Sequence, residues 1–453
     1  MNLRRMLQPG SMAVYGVSSK NPSHPANIIY HKNHLRLQAR TYAVNPRGGT
    51  LFGEPLFPSL AQLPEVPDVV VIALRAELVP RALEECASVG AGGAIVISGG
   101  FSEVGRTDLE DEVRRIAAAN DLPVLGPNGL GVSAPPVMDT FFLPQERLIE
   151  TRAGRVSIVS QSGGILVDLM IKLTQEGVGL ARAISIGNKA VLDEVDLIAW
   201  LADDPSTDVV GVYLEGFRPG RGRAFVELVE RIQTPVVVMK SGRTAGGARA
   251  VSSHTASVAG DYAVFQQVVG ASKAVEAKDE AEFVAFCEVL ARSHHAGVRR
   301  VGIVSASGGH GALASDGLYA AGVELPALSE ALQGRIHAVL GRSVQDIASV
   351  ANPVDLTGSA TDEDFYEATR VLLDSDEVDA VMVLLLPYLP ALTPHVGSRI
   401  AQVAQQHDKP VVTYIPHVDK YGIFIEGFEA HGVPVAHTVG GAVDMIRALA
   451  RSR

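Results

Sequence analysis

The stretch Arg155-Val156-Ser157-Ile158-Val159-Ser160-Gln161-Ser162-Gly163-Gly164 recurs as Arg300-Val301-Gly302-Ile303-Val304-Ser305-Ala306-Ser307-Gly308-Gly309. Each copy reads as a buried strand, a Ser/Gly turn and the opening of a helix. Two openings of this kind in one chain predict a duplicated, flavodoxin-like unit. Short β-branched runs alternate with longer helical patterns elsewhere, which is how parallel sheets covered by helices on both faces are written in sequence. The expected fold class is α/β. In the first third, Met12–Val17, Val69–Leu74 and Ala94–Ile97 read as strands, while Leu78–Val89 and Leu109–Asn120 read as helices. Pro135-Pro136 and the irregular stretch to Gly154 place one boundary near residue 150, and His294–Arg299 places a second. The expected domains are therefore 1–150, 151–296 and 297–453.

Composition narrows the function. The 453 residues leave room for roughly three domains of ~150 residues each. Lys plus Arg total 39 against 50 Asp plus Glu, a net charge of −11 that opposes a nucleic-acid binder, although local anion sites remain compatible with it. Hydrophobic residues at 47% against 20% charged residues fit a packed globular protein. Cys86 and Cys287 are the only cysteines, too few for a disulfide framework or a cysteine-built metal cluster, and they point to a reducing cytoplasm. The basic start lacks the apolar core of a signal peptide, and no apolar run reaches the length of a membrane helix. The most apolar stretch, Val378–Leu386, carries Asp379 and stops at Pro387, as a buried strand does. A soluble, cytoplasmic protein without membrane or nucleic-acid partners is expected.

Chemistry gathers at a few turns. The turn Ser160-Gln161-Ser162-Gly163-Gly164 would leave backbone N–H groups and a positive helix end free beyond the strand, a seat for phosphate; an ordinary capped helix reads equally well. Val14-Tyr15-Gly16-Val17-Ser18-Ser19-Lys20 ends a first strand in a turn, but the second and third glycines of a dinucleotide fingerprint are missing. Val44-Asn45-Pro46-Arg47-Gly48-Gly49 adds a cation and two exposed backbone amides at the second strand end, which suits a phosphate-bearing nucleotide other than NAD, or else is a solvated arginine in a turn. The run from Lys240 to Ser257 is nearly all small residues, too poor in packing to form a core. Within it His254 has no His, Cys or carboxylate at metal spacing, so no metal site is expected. Structural residue, acid/base and nucleophile remain open for its imidazole. Glu215 closes the strand Val209–Leu214, where an open parallel sheet places its ligands, and could orient an imidazole or simply face solvent.

Taken together, these segments resemble the nucleoside-diphosphate-forming acyl-CoA synthetases, relatives of the succinyl-CoA synthetase α subunit. The resemblance runs through nearly the whole chain. Its carriers are Val44–Gly49, Gly126-Pro127-Asn128 with Leu130-Gly131, Ser160–Gly163, Tyr213-Leu214-Glu215-Gly216, Ser253-His254-Thr255 with Ala259-Gly260, and Asn352–Leu356, in the family's order. It implies a Rossmann-like CoA-binding domain followed by two flavodoxin-like domains. It further implies that His254 is phosphorylated during turnover, that Glu215 steadies its imidazole, and that Ser160, Ser162, Gly163 and Gly164 hold the phosphoryl group. CoA would lie across the first domain along Gly16, its phosphates near Ser18, Lys20 and the Asn45-Pro46-Arg47 turn. The adenine would then sit beside the strand ending Ile72-Ala73, and the pantetheine arm would run toward Asn128.

The same resemblance implies an α-type chain that joins a small carboxylic acid to CoA only with an ATP-grasp β-type partner, in a hetero-oligomer. That partner would supply ATP or GTP with Mg. A carbamoyl- or acyl-transfer protein on the same scaffold, or a non-catalytic CoA-binding module, are the alternatives. Four positions depart from the family pattern: Ala26 and Ala256 where Gly is usual, Gly129 where Cys is common, and Lys189 in a segment often acidic or neutral.

Overall fold

The computed structural model describes residues 2–147, 149–255, 260–293 and 297–452, the side chains of residues 145 and 252–255 excepted. The chain divides into two units, Met1–Ser272 and Lys273–Arg453.

The first unit holds two sheets. In the N-terminal one, β1 (Ser11–Tyr15), β2 (Arg40–Val44), β3 (Thr50–Leu51), β4 (Glu54–Phe57), β5 (Val69–Ile72), β6 (Ala94–Val96) and β7 (Val124–Leu125) lie in the order β3-β4-β2-β1-β5-β6-β7. All neighbours are parallel except β3 and β4. Every residue of β1 and β5 is buried, as the unbroken apolar runs predict for strands covered on both faces. Strand order reverses at β1, which lies between β2 and β5, so a Rossmann-like crevice opens beyond the ends of these strands.

The second sheet begins with a hairpin, β8 (Gly131–Ala134) and β9 (Met138–Asp139), and continues with β10 (Ala153–Ser160), β11 (Leu180–Ser185), β12 (Val209–Leu214) and β13 (Val236–Lys240). Its order within this unit is β13-β12-β10-β11-β8-β9, parallel except where β8 pairs with β11 and with β9. The change from one sheet to the other thus falls between Leu125 and Gly131. Helix Pro25–Arg36, beside the first sheet, grips the far end of the second. Its buried Lys32 pairs with Asp139 at 2.8 Å and donates to the Phe141 carbonyl, while Asn33 exchanges hydrogen bonds with the Asp139 backbone.

In the second unit, β14 (Val275–Ala277) and helix Glu280–Arg292 precede an all-parallel sheet. This sheet consists of β15 (Val301–Ser305), β16 (Val354–Asp355), β17 (Ala380–Leu384), β18 (Val411–Tyr414) and β19 (Val435–Ala436), in the order β16-β15-β17-β18-β19. The expected boundary at 296–297 falls on a segment whose residues 294–296 lie outside the described ones.

The sequence repeat is also a structural repeat. β10 and β15 each sit between two parallel neighbours and feed a helix, Gly163–Gln175 and Gly308–Ala320. The turns share two serine hydrogen bonds. Ser160 Oγ donates to the Ser162 carbonyl at 2.6 Å and accepts from the Ser162 N–H at 3.2 Å; Ser305 and Ser307 make the same two bonds at 3.0 and 3.1 Å. The protein is a mixed α/β fold with a Rossmann-like N-terminal sheet and two further, mainly parallel sheets of flavodoxin-like character.

Candidate active site

Strand order in the second sheet reverses at β10, so the loops after β10, β11 and β12 converge where open α/β sheets take their ligands. They enclose a cavity of about 770 Å³. Gln161–Gly164 contribute from the first loop, Gly187–Lys189 from the second and Glu215–Pro219 from the third, with Asn128–Leu130 arriving from the N-terminal side.

The helix Gly163–Gln175 opens at this cavity. Ser162 is its N-cap, its hydroxyl accepting from the Ile165 N–H, and a Cβ at Gly164 would meet nothing within 4 Å, so the first amides stand clear of side chains. Gly163 has a different reason to be glycine, since a Cβ there would press to 3.0 Å from Leu130. Ser160 is fully buried and its hydroxyl is engaged inside the turn.

Glu215 directly follows β12 as a buried carboxylate. Gln161 holds it twice, accepting from its N–H at 3.0 Å and donating to Oε2 at 3.4 Å. Lys240, whose pKa burial lowers against the pull of Glu215 and Asp261, donates to the Glu215 carbonyl at 2.9 Å. Lys189 is also buried, in an ion pair with Glu194 at 3.0 Å, and donates to the Gly216 carbonyl at 2.6 Å. Burial pushes the Glu194 carboxyl up, and Lys189 opposes this.

On the opposite wall, Asn128, held at φ 63°, donates to Asn188 at 3.2 Å. The Asn188 amide donates in turn to Glu103 at 2.6 Å and to Glu110 at 3.1 Å. Burial works to raise Glu103, but Asn188 and the amides of Gly100 and Phe101 outweigh it and hold the carboxyl below its ordinary range. The backbone of His254 lies in helix Ala245–Thr255, and some part of that helix packs on the turn Ser102–Val104, which borders the cavity through Ser102. Its side chain and Ala256 lie outside the described residues.

The residues expected to meet CoA phosphates gather instead at the crevice of the first sheet. Gly16, at φ 104°, follows β1 so closely to β5 that a Cβ would lie 2.5 Å from the Ala73 carbonyl oxygen. Buried Asn27 clamps Ser18 from both sides of its backbone, and Ser18 Oγ accepts from the N–H groups of Lys20 and Asn21. Asn45 reaches back to the Val17 carbonyl at 2.7 Å and caps the N–H of Arg47, which joins the first two loops. Pro46 continues that turn, while Ile72 and Ala73 are buried at the end of β5. Lys20 and Arg47 are exposed and carry no ion pair among the described residues.

Residues 10–135 match the CoA binding domain family, and residues 153–290 match the succinyl-CoA ligase like flavodoxin domain. The α subunit of acetate–CoA ligase [ADP-forming] II from Pyrococcus furiosus is 30% identical over 416 residues, covering 89% of this chain and 88% of the relative. The chain belongs to the family of ADP-forming acyl-CoA ligases. Acetate–CoA ligase [ADP-forming] I of Archaeoglobus fulgidus is 34% identical over 85% of the chain. The chain spans about half the length of that ligase and of its Methanocaldococcus jannaschii counterpart, 55% and 50%. Among solved structures, a chain of dinucleotide forming acetyl-coenzyme A synthetase 1 from Ca. Korarchaeum cryptofilum, in complex with phosphate and ADP, is 31% identical. It superimposes with a TM-score of 0.91, covering 100% of this chain and 97% of that one. No helix among the described residues is long and apolar enough to cross a membrane.

Within this ligase scaffold, the cavity brings together Asn128, Ser162, Gly163, Gly164 and Glu215, while Gly16, Ser18, Lys20, Asn45 and Arg47 form a separate group at the first sheet. Gln161, Asn188, Lys189 and Arg218 were not assigned roles by sequence reasoning. Gln161 stands inside the turn Ser160–Gly164, and an unbranched polar residue between two serines is the available signal. Lys189 was visible only as a departure from the family, and its partner Glu194 explains how a cation is tolerated there.

Proposed function

We propose that this chain is the α-type component of an acyl-CoA ligase that works through a phosphohistidine. In this reading His254 takes the γ-phosphoryl group of ATP, or GTP, bound with Mg on an ATP-grasp β-type subunit. A carboxylate oxygen of the acid then attacks that phosphorus, giving an acyl phosphate and free imidazole. Last, the CoA thiolate attacks the acyl carbon and inorganic phosphate leaves. Splitting the condensation in this way replaces one difficult step by three transfers.

The observation that carries the reading is the convergence of an open helix N-terminus, Ser162–Gly164, with the buried carboxylate of Glu215 in one cavity. Backbone amides at a helix start suit phosphoryl oxygens, and a carboxylate accepting from one ring nitrogen fixes the tautomer that leaves the other nucleophilic. The phosphate and ADP named with the Korarchaeum relative are in keeping with the same chemistry. The match along most of an α subunit from Pyrococcus, against about half of the longer ligases, supports the α-type assignment.

Incubation with labelled phosphate and acetyl-CoA, or with ATP and an ATP-grasp partner, should place one phosphate on the chain that survives base and is lost in acid. His254→Asn should abolish it while leaving CoA binding near normal, and Glu215→Gln should slow it by on the order of 100-fold. Label persisting in His254→Asn, or an acid-stable label on a serine, would overturn the proposal.

A further inference from the structure

The loops after β11 and β12 are tied to each other in both directions. Lys189 Nζ, from the first, donates to the Gly216 carbonyl of the second at 2.6 Å. Arg218, from the second, donates to the carbonyls of Lys189 and Ala190, each at 3.2 Å, and pairs with Asp193 at 3.0 Å. Asp193 is fixed in its turn: it caps helix Glu194–Ala202 and binds Arg221, and these partners hold its carboxyl below the ordinary range although burial acts to raise it.

A stability role does not account for Lys189. The side chains of Lys189 and Glu194 are only 6% and 0% exposed. Taking both charges out of water costs about as much as their attraction returns, and apolar residues of the same volume often serve as well or better. The backbone of Lys189 is also left-handed, at φ 49°, which a non-glycine residue adopts at a cost. Glu194 Oε1, moreover, has no hydrogen-bond partner among the described residues. What the ion pair does provide is aim. Glu194 and Gly216 are the two partners of the Lys189 ammonium among the described residues, so Glu194 directs the remaining donors toward the Gly216–Phe217 peptide, the second after Glu215.

We propose that Lys189 is a positioning residue for Glu215: through the Gly216 carbonyl it anchors the loop that leaves β12 just beyond the carboxylate, and so sets the carboxylate's approach to the reacting imidazole. This rests on the phosphohistidine reading above. Gln161 and Lys240 hold Glu215 from the strand side, and Lys189 holds the opposite flank of the same short segment.

The test is a double-mutant cycle on the full chain, read as the rate of uptake of acid-labile phosphate from labelled phosphate and acetyl-CoA or from ATP with the partner. Lys189→Met should slow uptake about tenfold where Glu215 is present and by less than about threefold in the Glu215→Gln background, the non-additivity expected of coupled residues. Hydrogen exchange at the amides of residues 215–218 should quicken in Lys189→Met, with CoA affinity unchanged. Since Lys189→Met leaves Glu194 buried without its cation, Lys189→Met/Glu194→Gln provides a charge-neutral second variant that also lacks the bond to Gly216. Equal losses in both Glu215 backgrounds, or unaltered exchange at 215–218, would overturn the inference. A wild-type chain that takes up no acid-labile phosphate would remove the phosphohistidine reading itself, a failure distinguishable because it precedes any substitution.

Discussion

A methyl group at Gly16 would have to share space with the Ala73 carbonyl oxygen, 2.5 Å away, while adopting φ 104°. Gly16→Ala should therefore destabilise the first sheet by about 1–3 kcal/mol, measured by denaturant unfolding, and loosen the loop carrying Ser18. Nearby, Arg47 is an exposed guanidinium on a turn whose backbone Asn45 holds in place. If it meets the 3′-phosphate, Arg47→Ala should weaken CoA more than dephospho-CoA in titration calorimetry, with a differential of about 1.5–3 kcal/mol for a charged hydrogen bond; equal losses would place it elsewhere. At this scale the sequence was readable where the reason is local. Gly16 ends a strand, and Ser162 precedes a glycine-opened helix, so both could be singled out from neighbours in the chain. Gln161 and Lys189 could not, because their partners Glu215 and Gly216 come next to them only through the register of β10, β11 and β12.

Among elements, Asp68 joins three pieces of the first sheet. It binds Arg5 of the short helix Arg4–Leu7 at 2.7 Å and the N–H groups of Gly10 and Ser11 at the start of β1, from its place just before β5. Burial works to raise its pKa, but Arg5 and these amides outweigh that effect and depress it. With the folded value below the unfolded one, the stabilisation is present in full above the unfolded value and is lost as pH falls through the folded one. Asp68→Asn should accordingly lose about 1.5–3 kcal/mol at neutral pH. Its stability should begin to approach that of the wild type only below the unfolded value of about 3.9, as followed by thermal unfolding across an acid pH series. Strands and helices were the most legible level. Expected helices 78–89 and 109–120 are found at Val79–Val89 and Thr107–Ala119, and the strand read at 378–386 is found at Ala380–Leu384. The strand is shorter than the apolar run because its length is set by pairing, which ends before the run does. The β8–β9 hairpin was missed outright: it is short, and its antiparallel pairing with β11 leaves no periodic trace in the sequence.

For the whole molecule, the pure chain should bind CoA yet form no acyl-CoA from ATP and acid until an ATP-grasp partner is added, measured as thioester formation. Synthesis by the chain alone would count against the α-type reading. The division between sheets also bears on how such a chain is made. Emerging from the ribosome, the first sheet has all its strands once Leu125 is out, and it can close early. The hairpin Gly131–Asp139 follows directly, but β11, the strand it must pair with, is synthesised later. In the interval, Lys32 and Asn33 of an already folded helix can receive Asp139 and hold the nascent hairpin in place. The contact that latches the two sheets in the finished protein would then act first as a temporary holder. It would keep the hairpin docked, with the edge of β8 held in place for β11, at the stage when a loose unpaired edge is most prone to aggregate.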